Sequence, residues 1–104
     1  MSVILDFSMF PIGKEESLST YVAKIIKILE KNNITYKLNP MGTSIETENL
    51  RDALDIIYEC YKCLEIEANR VYSVIKLDIR KNRNICSMEK KIKSVKDKIY
   101  ENNN

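Results

Sequence analysis

A chain of 104 residues with 44% hydrophobic side chains has material for one domain, spanning 1–104, with a modest core. Its 17 basic and 15 acidic residues leave a formal charge of +2, which implies no strongly charged partner, and no dense basic patch with interleaved aromatics before the C-terminal helix marks a nucleic-acid surface. The absence of histidine excludes Ser-His-Asp and Cys-His nucleophile systems and the usual catalytic metal ligand sets, though not carboxylate, lysine or tyrosine chemistry.

The opening residues Met1 to Asp6 lack the basic start and apolar core of a signal peptide. No apolar run approaches the ~20 residues of a membrane span. Three cysteines, an odd number, suggest free thiols in a reducing compartment. A cytoplasmic protein with neither membrane nor nucleic acid as partner is expected.

In chain order, Val3, Leu5, Phe7 and Met9 alternate with Ile4, Asp6 and Ser8, the pattern of a strand with one strongly apolar face. Phe10-Pro11-Ile12-Gly13 ends it in a turn. Ser17 is a plausible N-cap for a helix whose stripe is Leu18, Tyr21, Val22, Ile25, Ile28 and Leu29. Asn32-Asn33 stop that helix, because asparagine accepts the left-handed conformation of a C-cap.

Ile34 to Leu38 and Thr43 to Glu48 alternate as two strands around Asn39-Pro40-Met41-Gly42, a tight reversal in which proline fixes φ and glycine tolerates φ > 0. The second strand presents Thr43, Ser44 and Glu46 close to the bend. Asn49 can cap a second helix with the stripe Leu50, Ala53, Leu54, Ile57, Tyr61 and Leu64, ending near Asn69. Arg70 to Arg80 reads as a fourth strand, with Val71, Ser73, Ile75, Leu77 and Ile79 on one face. Lys81 to Asn84 is a polar loop, and a helix from about Ser87 carries a narrow stripe of Met88, Ile92, Val95 and Ile99 before the frayed tail Asn102 to Asn104.

The order β-α-β-β-α-β plus a helix is that of an α+β, ferredoxin-like sandwich, an antiparallel sheet with two helices on one face. The other face would carry Ile4, Tyr72 and Val74 among Asp6, Ser8, Lys76 and Asp78. That mixture is too apolar for solvent and too polar for a dry core, so self-association as a homodimer or homotetramer is expected.

Several stretches in register resemble one family. They are Phe7 to Gly13, Glu16 to Val22, Tyr36 to Glu46, Ile75 to Arg80 and Met88 to Val95, which together cover nearly the whole chain. They are similar to the small thiamine-binding proteins of the YqgV and YkoF type. The resemblance implies a ferredoxin-like fold, homo-oligomers, and thiamine or its hydroxymethylpyrimidine part bound at subunit interfaces, without catalysis and without a separate cofactor. Asp6 stands where that family often has glutamate, and Thr47-Glu48 follow Glu46 where a glycine is usual.

An aminopyrimidine with adjacent donor and acceptor edges wants hydroxyls or a carboxylate, and its rings want an apolar wall. Ser8, Thr43, Ser44 and Glu46 supply the polar groups and Phe10 and Met41 the walls, while Asp6 can balance a ligand cation. The bland alternative makes these ordinary strand and turn residues, and Asp6, Lys76 and Asp78 an exposed ion cluster of little worth. Cys60-Tyr61-Lys62-Cys63 lies inside a helix, with Cys86 as the single further thiol, and reads as packing rather than a metal site. The lysines from Lys90 to Lys98 read as a solvated helix face. A non-catalytic carrier or sequestering protein is therefore expected. The alternative is an oligomeric scaffold with a vestigial pocket, and an acid–base enzyme using Asp6, Glu46 or Lys76 ranks last for want of a recognisable constellation.

Overall fold

The computed structural model describes residues 1–82 and 87–101. Seven elements follow one another: β1 (Ser2–Pro11), α1 (Leu18–Lys31), β2 (Thr35–Asn39), β3 (Gly42–Thr47), α2 (Leu50–Glu65), β4 (Val71–Arg80) and α3 (Ser87–Glu101). The strands form one antiparallel sheet in the order β2-β3-β1-β4. This is the expected ferredoxin-like α+β arrangement with an added helix.

Strand alternation sorts the side chains. Val3, Leu5, Phe7 and Met9 of β1 and Ile45 of β3 are buried on one face, against Tyr21, Ile25 and Leu29 of α1 and Ala53, Ile56, Ile57, Cys60 and Leu64 of α2. The caps are as read from the sequence. Ser17 Oγ accepts from the Ser19 amide at 3.3 Å and Asn49 Oδ1 from the Asp52 amide at 2.8 Å. Asn33 takes a φ of 54°, turning the chain from α1 into β2.

Five readings need correction. Leu54 and Tyr61 are partly exposed, and Ile56 and Cys60 take their places in the α2 stripe, because the buried arc of α2 is centred one residue further round. Helix α2 ends at Glu65, short of Asn69, and Leu18 at the start of α1 overhangs the core and is exposed. Of the α3 stripe Met88 alone is buried, while Ile92, Val95 and Ile99 are exposed. Gly42 does not take a positive φ; among the described residues those values belong to Asn33 and Gly13. What demands glycine at 42 is space, since a Cβ there would stand 2.9 Å from the Phe7 carbonyl oxygen. The loop residues Arg83 and Asn84, Cys86 and the tail 102–104 lie outside the described residues.

The second sheet face meets the first turn of α3. Glu89 pairs with Lys37 at 3.0 Å and Lys91 reaches Asp78, both on that face by their strand partners, while the rest of α3 runs on with its apolar side chains exposed.

Candidate functional site

The β2–β3 hairpin and β1 are in register from Val3 opposite Thr47 to Phe7 opposite Thr43. Beyond Phe7, β1 continues alongside β4 as far as Pro11, with no β3 partner. The hairpin tip therefore parts from β1 and leaves a wedge, which α1 roofs with Leu18, Val22 and Ile25. The result is a cavity of about 320 Å³ lined by Phe7, Ser8, Met9, Phe10, Leu18, Val22, Ile25, Leu38, Asn39, Pro40, Met41, Gly42 and Thr43. Its tip is shaped locally: Asn39 and Gly42 pair, Pro40 and Met41 form the loop, and Asn39 Oδ1 accepts from the Met41 amide at 3.3 Å.

The lining is apolar but for a few groups. Thr43 is 4% exposed, and its hydroxyl has no hydrogen-bond partner among the described residues; since no buried side-chain nitrogen or oxygen there goes unbonded, that hydroxyl is open to water in the cavity. Along β1, the main-chain groups of residues 8–10 that point away from β4 also find no strand partner. Groups of this kind bond water in the free protein and can exchange it for a ligand. No lining residue carries an ionisable side chain, so the cavity offers shape and hydrogen bonds but no acid, base or nucleophilic thiol.

Strand alternation splits the candidate residues between two places. Ser8, Phe10, Met41 and Thr43 line the cavity, with Met41 88% exposed at its mouth. Ser8 and Phe10 sit on the opposite face from Phe7 and Met9, and the Phe10 ring packs on Tyr72 with centroids 5.7 Å apart. Asp6, Ser44 and Glu46 lie on the second sheet face. There Ser44 Oγ donates to Asp6 Oδ1 at 2.9 Å, and Lys76 Nζ stands 3.6 Å from the same carboxylate, as the neighbouring strands imply.

Glu46 is only 2% exposed, and its oxygens are engaged by the chain itself. The Ser2 hydroxyl donates to it at 2.7 Å, the Ser87 hydroxyl at 2.6 Å, and the amides of Ser87 and Met88 at 2.8 and 3.3 Å. Burial alone would raise its pKa, but these hydrogen bonds together outweigh that and hold the carboxyl below its ordinary value. The carboxylate thus fastens the N-terminus of α3 to β1 and β3, at the end of a helix where an anion is favoured.

Sequence reasoning missed Leu18, Val22, Ile25 and Leu38 as lining. The signal was there: Leu18, Val22 and Ile25 follow one another on a stripe that extends a turn beyond what the sheet can cover. In α2, burial pushes the Cys60 thiol up to about 12, with Cys63 and Glu59 adding to the shift, which leaves an inert packing group. Among the described residues no group of three or more His, Cys, Asp or Glu can hold a metal ion. No helix there is long and apolar enough to cross a membrane.

The sequence model described as Thiamine-binding protein matches residues 5–96. The chain belongs to this family. A UPF0045 protein of Methanothermobacter thermautotrophicus is 31% identical over 99 residues, covering 93% of this chain and 99% of the relative. The crystal structure of a hypothetical protein from Methanocaldococcus jannaschii, 32% identical, superposes with a TM-score of 0.79 over 90% of this chain and 95% of that one. A structure described as a putative thiamine biosynthesis/salvage protein from Thermotoga maritima, at 18% identity, shares the fold with a TM-score of 0.72, covering 86% of this chain and 95% of that one.

Proposed function

We propose that this protein binds thiamine or its hydroxymethylpyrimidine part in the cleft between the hairpin tip, β1 and α1, as a non-catalytic carrier or sequestering protein of the cytoplasm that works as a homo-oligomer. The observation that carries the reading is an apolar cavity whose polar groups are the Thr43 hydroxyl, open to water and unbonded to the described residues, and the β1 main chain that β3 leaves unpaired. An aminopyrimidine sets a donor beside an acceptor, which complements a hydroxyl and the C=O and N–H groups along a strand edge. The apolar walls suit its ring, and a volume of about 320 Å³ falls at the small end of ligand pockets, which start near ~300 Å³.

Charge orients the ligand. With no carboxylate in the lining, the neutral pyrimidine belongs inside and the cationic thiazolium at the mouth, past Met41, where water or a neighbouring subunit meets it. The lack of any ionisable lining group supports binding without catalysis. Calorimetric titration with thiamine, its phosphates and hydroxymethylpyrimidine tests the proposal. Saturable binding of the pyrimidine-bearing compounds is the expected result. No binding of any of them would leave the oligomeric scaffold reading, which the exposed apolar side chains of β4 favour.

A further inference from the structure

The space beside the hairpin does not end with the cavity. Leu18, Val22, Leu38, Asn39 and Pro40 also border a second, more open groove of about 860 Å³, which runs down the outer flank of α1 beside the edge strand β2. From Pro40, next to Met41 at the cavity mouth, the groove passes Ala23 and Ile26 and reaches Glu30. Its wall is apolar until that point.

Two ionisable side chains line the groove, Lys27 and Glu30, and they are placed differently. Glu30 lies about 40° round the helix from Ile26, almost directly below it, and helical side chains lean towards the N-terminus, so Glu30 leans back up the groove. The Tyr36 hydroxyl donates to Glu30 Oε1 at 3.2 Å, which draws that carboxylate towards β2. No cation pairs with Glu30 among the described residues. Lys27 lies about 100° from Ile26, at the outer rim, and makes no ion pair with Glu30. An apolar trough that ends on an unpaired carboxylate suits a flat organic cation.

We infer that this groove takes the thiazolium ring of thiamine, with Glu30 as its counter-charge, so that the site selects intact thiamine over its hydroxymethylpyrimidine half. The inference rests on the pyrimidine occupying the cavity as proposed above. Val22, Ile26 and Glu30 follow one another at steps of about 6 Å along the helix. Val22 borders both spaces, so a second ring joined to the first by one methylene comes to rest against Ile26, one step short of the carboxylate. Free hydroxymethylpyrimidine fills the cavity and leaves the groove to water.

Calorimetry with the two compounds separates this inference from the reading beneath it, because hydroxymethylpyrimidine reads the cavity alone. The parent should bind thiamine at least about tenfold more tightly, since a second ring leaves water. Glu30→Gln keeps an acceptor for Tyr36 and removes the charge. It should weaken thiamine roughly two- to fivefold, the range of an exposed ion pair, and leave hydroxymethylpyrimidine unchanged. Added salt should weaken thiamine binding by the parent and not by this variant. Ala23→Lys, at an exposed helical position that tolerates lysine, sets a cation in the thiazolium's place and should show the same selectivity. Equal affinity of the parent for both compounds, or thiamine binding untouched by both variants, would overturn the inference and leave the cavity standing. A parallel loss for both compounds would make Glu30 a prop of the cavity and overturn it too. No binding of either compound would remove the cavity reading and this one with it.

Discussion

Replacing Thr43 by valine keeps the side chain's shape and deletes its hydroxyl. In the free protein that hydroxyl sits at the cavity wall, open to water and without a partner among the described residues, so the fold has no internal hydrogen bond to lose. Unfolding by urea should therefore give a midpoint equal to or slightly above the parent's. With ligand bound, the same deletion strands a pyrimidine nitrogen or amino group in a desolvated site, which costs roughly 1–3 kcal/mol. That corresponds to about one to two decades in Kd, easily resolved by calorimetry with thiamine or hydroxymethylpyrimidine. The pairing of weaker binding with undiminished stability is the signature. Equal affinity for parent and Thr43→Val would refute the site. A loss of stability above about 1 kcal/mol would show instead that the hydroxyl is satisfied within the chain.

Glu46→Gln should cost about 1.5–3 kcal/mol of stability, the range for hydrogen bonds to a charged group, while leaving ligand affinity unchanged because Glu46 is not part of the cavity wall. The folded pKa of Glu46 lies below its ordinary 4.5, so its contribution is present above that value and is lost as the pH falls through the lower folded value. Urea midpoints followed into acid should lose that part of their pH dependence in Glu46→Gln. Gly42→Ala drives a Cβ to 2.9 Å from the Phe7 carbonyl and should destabilise by roughly 1–3 kcal/mol in the same assay, with the cavity wall displaced as well. Alkylation at mildly alkaline pH, read by mass spectrometry, should leave Cys60 unmodified until the protein is unfolded, because its thiol is buried and titrates near 12.

The fold was legible because each element announced itself twice, once by period and once by its ends. β1 alternates over its whole length, and Ser17, Asn33 and Asn49 mark helix boundaries where the structure has them. The stripes of α2 and α3 were less legible for a common reason: hydrophobicity says what a side chain prefers, not whether the fold supplies a surface to cover it. Tyr61 and Leu54 flank an edge strand, and Ile92 to Ile99 run past the sheet, so both sets stay exposed in a single chain. Gly42 was legible as a required glycine but for the wrong reason. A positive φ is a local property that a turn motif suggests, whereas the nearness of the Phe7 carbonyl is a tertiary one.

The candidate residues near the hairpin divide by a rule simple enough to apply in advance. Residues 43, 44 and 46 are close in sequence, but successive side chains of a strand point to opposite faces, so Thr43 parts company with Ser44 and Glu46. One short strand thereby serves two purposes. Its helix-side face ends at the cavity with a hydroxyl left unbonded, and its other face spends Ser44 on Asp6 and Glu46 on the start of α3. The polar group suited to a ligand is then the one the chain leaves unsatisfied, not the one with the most charge. Glu46, the stronger acceptor, has four donors within the protein, and adding a ligand there would displace bonds that hold α3 in place. Thr43 has none to give up within the described residues, so a bound pyrimidine takes the place of water there at no cost to the fold.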